Sequence, residues 1–465
     1  MNFFDDMERF GQAIAFIAED GESLTYESTA VAADSFGARL SRRGLVFILA
    51  NNSIASVIGY IGCLRSRAPV ALLASNIHSD LLPNLLSAYR PNYIWLPRAR
   101  ACQVSNATEL FALGDYVLLA TSAGLLQAHD DLALLMTTSG STGSAKFVRL
   151  SYDNVSANAT SIAEYLEICG GDKAITTLPM HYVFGLSVIN SHLQSGAGII
   201  LTNASLMEKR FWEQLKVHGA TTISGVPYTY ELLKRLRWDR MNLPSLRVLT
   251  QAGGKLNSAL VHEYASVCKD KGMRFYVMYG AAEATARMSY LPPRLALEKP
   301  QSIGVAIPGG EFWIEDETGN VITRSDEVGE LFYRGANVFL GYAEKREDLA
   351  LGDERKGELQ TGDLARRDAD GEYYIVGRKS RFIKLFGNRV NLEEIEQLIR
   401  NNGIDCACSG DDQMLRIYIT SPALQNDVIS VAQRLTQLHH SAFRAFVIDR
   451  IPRNEAGKII YAELP

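Results

Sequence analysis

Short apolar runs alternate with segments of helical period along most of this chain, and few architectures accept that rhythm. LVFILANN, from Leu45, is followed by the helix-like SVIGYIGCLRSR, then by APVALLA, a polar helix-like stretch and NYIWLP. The rhythm returns with KAITTLP, AGIILTNA, ATTISGVP, SLRVLTQAGG and RFYVMYG as candidate strands. Strands separated by helical segments imply parallel sheets with helices packed on their faces, an α/β fold. From about Gln301 the texture changes. GEFWIEDETGNVI and GELFYRGANVFLGY are strands separated by turn signals and predict a small antiparallel, barrel-like subdomain. After GRKSRF, the amphipathic NLEEIEQLIRNNG, the helical ISVAQRLTQLHH and the short strands MLRIYIT and FRAFVID predict a small α+β C-terminal domain. The charged tetrapeptide Arg378–Arg381 marks the boundary between a domain spanning 1–378 and one spanning 379–465.

At 465 residues the chain has room for more than one core. No window approaches the roughly 20 apolar residues of a membrane span, and MNFFDDMERFGQ lacks the cationic and apolar regions of a secretory signal. A cytoplasmic location is the expectation. The cysteines at 63, 102, 169, 268, 406 and 408 are scattered, which predicts reduced and mostly buried thiols rather than disulfides or a zinc site. A net charge of −5 argues against a nucleic-acid scaffold, and a small-molecule substrate fits better.

The stretch TTSGSTGSAK, Thr137 to Lys146, follows the apolar LALLM with almost no side-chain bulk. Glycines let a backbone approach a ligand, and successive N–H groups in such a loop attract anionic oxygens. Ser139, Ser141 and Thr142 add hydroxyl donors and Lys146 a full charge, so the composition is that of a phosphate cradle. It is not the G-x-x-x-x-G-K-[ST] loop, because only two residues separate Gly140 from Gly143 and Phe147 follows the lysine.

This loop closely resembles the signature of the adenylate-forming enzyme superfamily, which includes acyl- and aryl-CoA synthetases, carrier-protein adenylation domains and luciferases. Further strings resemble that family's motifs in its own order: LPMHYVFGL, VPYTYELL, QAGG, YGAAEAT, GELFYRGANVFLGY, QTGDLARRDADGEYYIVGR, IKLFGNRVNLEEIE and PRNEAGKI. The resemblance covers essentially the whole chain. It implies an ATP- and Mg²⁺-dependent ligase that converts a carboxylic acid to an acyl-adenylate, releases pyrophosphate, and passes the acyl group to the thiol of CoA or of a carrier protein's phosphopantetheine. Residues 1–378 would form the adenylation core and 379–465 a mobile lid that rotates between the half-reactions.

Carried over residue by residue, Thr138, Ser139, Gly140, Ser141, Thr142, Gly143 and Lys146 would bind the phosphates. Gly253, Gly254, Tyr279 and Gly280 would surround adenine, Asp363 would accept the ribose hydroxyls, and Arg378 would reach ribose or phosphate. Glu283 would hold the magnesium ion. Lys458 would stabilise charge between carboxylate and α-phosphate, and His181 would stand beside the carboxylate. His181, Phe184, Val226 and Tyr228 would form the acid pocket, and Gly387, Asn388 and Arg389 the loop used in the thiol step.

Departures from the family pattern also carry information. Ala282 replaces a threonine, Ser380 replaces the usual hinge residue, Ala145 stands where proline is common, and the segment between Arg389 and Lys458 is short. No carboxylate lies between Met180 and Ser191 to pair with an α-ammonium, which favours an aryl or aliphatic acid over an amino acid. The absence of a strong basic patch for a 3′-phosphate tilts the expected acceptor towards a carrier protein. The alternatives are an amino-acid-activating enzyme, a luciferase-like oxidation of the adenylate, and a nucleotide-binding regulatory protein without turnover, which Ala282 supports.

Overall fold

A computed structural model describes residues 2–41, 43–77, 81–124, 126–137, 146–385, 388–411, 414–436, 439–453, 457 and 459–465. Contacts divide the chain into two compact units, Met1–Glu311 with Tyr333–Leu359, and Phe312–Phe332 with Gln360–Pro465. The boundary expected after Arg378 falls inside the second unit.

The first unit contains two large sheets. One has the strand order Val305–Ala306, Ser289–Leu291, Arg274–Tyr279, Val248–Gln251, Thr222–Gly225, Lys173–Ile175, Gly198–Ile200, Ile14–Ile17 and Ser23–Thr25. Its pairings from Arg274–Tyr279 across to Ile14–Ile17 are parallel, and those outside that run are antiparallel. These strands are short, and those of the parallel run are mostly buried because helices pack on both faces. On one face Tyr230, Tyr264 and Phe275 anchor a cluster with the helices Pro227–Arg235 and Ser258–Asp270. On the other, Tyr165 of the helix Tyr152–Leu166 stacks on Tyr290 with centroids 4.3 Å apart. That helix starts where Ser151 accepts from the Asn154 N–H and the Asn154 side chain accepts from the Ser151 N–H, both at 2.9 Å. Such a reciprocal cap contributes about 1 kcal/mol.

The second sheet is ordered Gly341–Ala343, Phe147–Ser151, Leu132–Thr137, Val70–Ala74, Val46–Ala50, Tyr93–Pro97, Tyr116–Ala120 and Thr108–Leu113. Its parallel centre is the run of segments with which the alternating pattern began. The helix Ile54–Arg65 packs over it, with the Trp95 indole donating to the Ala55 carbonyl at 2.8 Å.

The antiparallel texture after Gln301 resolves into a four-stranded sheet ordered Gly310–Glu315, Gly329–Gly335, Glu358–Arg367 and Tyr373–Arg378, while Gly341–Ala343 pairs with Phe147–Ser151 of the eight-stranded sheet. In the second unit a two-stranded pair, Phe382–Leu385 with Asn388–Asn391, leads into the helix Leu392–Asn401. The strands Cys406–Gly410, Leu415–Ile419 and Phe443–Val447 form a sheet against that helix and Gln425–Thr436. Leu392, Ile395 and Ile399 recur at helical spacing and are buried with Ile417 and Val428. All six cysteines are free; four are buried, whereas Cys102 and Cys169 are exposed. Among the described residues no helix is long and apolar enough to cross a membrane.

Candidate active site

In an open α/β sheet, ligands bind beyond the carboxyl ends of the parallel strands. Four neighbouring strands of the nine-stranded sheet end in motif loops. Lys173–Ile175 leads to Leu178–Tyr182, Thr222–Gly225 to Val226–Tyr228, Val248–Gln251 to Ala252–Gly254, and Arg274–Tyr279 to Gly280–Thr285. The topology thus gathers segments that lie up to a hundred residues apart.

The first three loops meet at Gly253. Its φ is +83°, and a Cβ there would stand 2.8 Å from Tyr182 Oη and 3.0 Å from Val226 Cγ1. Only glycine tolerates both conditions. The buried Gln251 amide donates to the Gly254 carbonyl at 2.8 Å and fixes this turn. Burial pushes the Tyr182 phenol up to about 12, so it stays a neutral donor. The loop carrying His181 is held by Asn52, which donates to the Leu178 carbonyl at 3.2 Å and accepts from the Met180 N–H at 3.0 Å. His181 is half-buried, Phe184 and Val226 are buried, and Tyr228 is 56% exposed on the outer side of its helix.

Tyr279 ends its strand, and Gly280–Thr285 turns tightly under clamps from a distant segment. The Asn337 amide donates to the Ala284 carbonyl at 2.8 Å and the Arg287 carbonyl at 3.1 Å. The Thr285 hydroxyl donates to the Asn337 carbonyl at 2.7 Å, and the Phe339 N–H to the Glu283 carbonyl at 2.9 Å. The Glu283 carboxylate is thereby presented to Tyr342, whose hydroxyl donates to Oε1 at 2.8 Å. Burial, and then the negative charge of Glu283, push the Tyr342 phenol well above its usual range, so it remains the donor. The Lys146 ammonium lies 3.8 Å from the centroid of the same ring, a cation–π contact. Tyr342 thus brings the end of the glycine-rich stretch and the YGAAEAT turn to one place.

In the second unit, Asp363 and Arg378 face each other across the Glu358–Arg367 and Tyr373–Arg378 pair, with Nε 3.1 Å from Oδ1. Asp363 is buried and Arg378 largely exposed. Beyond them, Lys379 pairs with Glu330 at 2.7 Å and Arg381 with Glu396 at 2.6 Å. Glu396 also accepts from the Cys408 N–H at 2.6 Å and from the Tyr461 hydroxyl at 2.8 Å. Burial raises this carboxyl above its ordinary value despite those donors. Thr138, Ser139, Gly140, Ser141, Thr142, Gly143, Gly387 and Lys458 lie outside the described residues. Asn388 and Arg389 begin the strand Asn388–Asn391.

The sequence reading did not single out Asn52, Tyr182, Asn337, Tyr342 or Arg287. The first four stand inside quoted strings, in LANN, PMHYVFGL and GANVFLGY, but nothing local distinguishes their contacts.

Loops of this kind at the carboxyl ends of a parallel sheet, with a carboxylate and a lysine meeting on one tyrosine, occupy the place where open α/β sheets bind their ligands. A family model described as AMP-binding enzyme matches residues 3–343, and the chain belongs to that family of adenylate-forming enzymes. Among curated relatives, 2-succinylbenzoate–CoA ligase of Bacillus pumilus is 27% identical over 337 residues, covering 70% of this chain and 67% of its own. Oxalate–CoA ligase of Arabidopsis thaliana is 26% identical, covering 88% and 85%. The solved O-succinylbenzoate coenzyme A synthetase of Bacillus subtilis in complex with AMP shares the fold with a TM-score of 0.80 at 23% identity, over 100% of this chain and 98% of that one.

Proposed function

We propose that this chain is an AMP-forming acid–thiol ligase whose acid lacks an α-amino group. The acid's carboxylate oxygen attacks the α-phosphorus of ATP, pyrophosphate leaves, and an acyl-adenylate results. A thiolate then attacks the acyl carbon, and AMP departs with the carboxylate oxygen that made the attack. The observation that carries the reading is the meeting of Lys146 and Glu283 on Tyr342, which sets a cation and a hard oxygen ligand side by side.

No covalent bond to the protein is required, so the residues act by positioning and by compensating charge. Lys146 and the preceding hydroxyl-rich loop would hold the β- and γ-phosphates. Glu283 fits a magnesium ion, because Tyr342 engages only one carboxylate oxygen and orients the group through it. When bound, that ion would offset negative charge on the phosphates. Gly253 and Gly254 would keep the turn beside adenine free of side chains. The Asp363 carboxylate would accept from the ribose hydroxyls, and Arg378 would hold it in place or turn to the phosphates. Residues 379–465 would act as a moving lid that delivers Lys458 for adenylation and then presents Gly387–Arg389 to the thiol acceptor.

Val226, Phe184 and His181 would line the acid site; Tyr228, being exposed, would serve at its rim. The relatives are named as CoA ligases, which supports CoA as acceptor, and a carrier-borne phosphopantetheine offers the same thiol.

The test is pyrophosphate release from ATP and Mg²⁺ over a panel of aryl, fatty, hydroxy and amino acids. Release should depend on one non-amino acid class and fall at least about 100-fold in Lys458→Ala. Nucleotide binding without release for any acid would favour a regulatory protein.

A further inference from the structure

We propose that Arg287 is a specificity residue for the acid substrate, a fixed cation that receives a second carboxylate at the far end of that acid. This inference rests on the ligase reading and names the substrate class that the same site would take.

Arg287 lies just beyond the Gly280–Thr285 turn and is 1% exposed. Its position is fixed by its backbone, since the carbonyl accepts from the Asn158 amide at 3.0 Å and from the Asn337 amide at 3.1 Å. Its guanidinium carbon stands 5.1 Å from the ring centroid of Phe184, in the first turn of the helix Val183–Gln194 that follows His181 and Tyr182. Nη1 donates to the Tyr165 hydroxyl at 3.1 Å and to Met278 Sδ at 3.3 Å, both neutral. Nε has no partner, and among the described residues no carboxylate pairs with the head group.

Other buried arginines in the chain are satisfied differently. Arg149, 0% exposed, donates to the Tyr342, Leu351 and Gly352 carbonyls and pairs with Glu354. Arg346 donates to the carbonyls of Tyr89, Arg90 and Gly124. Those side chains fasten segments together. Arg287 links the helix Tyr152–Leu166 to the strand Arg274–Tyr279 through Nη1, but among the described residues its positive charge meets no carboxylate, and burial strips it of water. A planar fork with unspent donors matches a carboxylate better than any other common acid substituent. An acid held by its reacting carboxylate near His181 and extending past Phe184 would meet that fork.

The experiment compares length-matched acids, butyrate with succinate, valerate with glutarate, hexanoate with adipate, and benzoate with phthalate, by pyrophosphate release and by calorimetric binding with AMP present. In the wild type at least one diacid should exceed its monoacid about 100-fold in kcat/KM, as expected where a buried polar group would otherwise stay unpaired. Arg287→Gln should bring that diacid down to the monoacid level, mainly through KM, and Arg287→Lys should restore part of the difference. The wild-type comparison does not depend on how the variants fold. Monoacids equal to or better than diacids in the wild type would overturn the inference while leaving the ligase intact. Diacid binding that Arg287→Gln removes, without pyrophosphate release from any acid, would uphold the cation site and overturn the ligase. Binding of no acid would overturn both.

Discussion

Replacing Gly280 by alanine tests how tightly the Gly280–Thr285 turn is built. A Cβ at Gly280 would fall 1.7 Å from the Ala286 carbonyl oxygen, 2.6 Å from its carbon and 2.7 Å from Arg287 Cα, whereas side-chain carbons do not approach closer than 3.0 Å. The opposing atoms are backbone, so the segment must retreat by more than an ångström. It has nowhere to go: the Ala286 N–H donates to the Ala281 carbonyl at 3.1 Å, and the Arg287 carbonyl is held by Asn158 and Asn337. Overpacking costs about 1–3 kcal/mol, and each loosened hydrogen bond adds about 1 kcal/mol, so a loss of about 3–4 kcal/mol is expected. A comparable displacement of Glu283 should lower kcat/KM about 100-fold. Thermal melting and pyrophosphate release read the two effects. Gly171→Ala is the control, because nothing lies within 4 Å of its Cβ position. If Gly280→Ala melts with the wild type and keeps its activity within about threefold, the crowding argument and the role given to this turn are wrong.

Tyr342→Phe removes the hydroxyl that orients Glu283 and should raise the Mg²⁺ concentration for half-maximal activity about tenfold. An unchanged magnesium titration would count against the pairing. His192 is fully buried, its Nδ1 lies 2.8 Å from the Val188 carbonyl, and burial depresses it from 6.5 to about 4. Between those values the unfolded chain takes up a proton that the folded chain refuses, so this contribution is complete above pH 6.5 and is lost as pH falls, by up to about 3 kcal/mol near pH 4. Denaturant unfolding at neutral and acid pH should show a shallower acid loss in His192→Gln, and identical slopes in both proteins would refute the assignment.

Much of the framework could be read directly from the chain. Strands such as Val46–Ala50 and Val70–Ala74 are continuous apolar runs because both faces are covered, and the helix Leu392–Asn401 shows its buried stripe in the spacing of Leu392, Ile395 and Ile399. Contacts set by tertiary register were not legible. Tyr342 reaches Glu283 across 59 residues, and only the pairing of Gly341–Ala343 with Phe147–Ser151 sets it beside Lys146. Arg287 follows the YGAAEAT string with no local mark, and its burial without a counter-ion among the described residues exists only in three dimensions. Glu396 sits on the apolar face of its helix for the sake of Arg381 and Tyr461, which no helical period announces. The charged tetrapeptide at Arg378 marks a change of composition, and such a change does not announce that Phe312–Phe332 belongs with Gln360–Pro465 in one compact unit.

The central claim is that the acid's own oxygen attacks the α-phosphorus. Turnover with a carboxylate labelled in both oxygens by heavy oxygen, with ATP, Mg²⁺ and CoA, tests it by mass spectrometry of the nucleotide product. The account predicts AMP carrying one heavy oxygen, with unlabelled pyrophosphate. Unlabelled AMP, or ADP with label in inorganic phosphate, would contradict it.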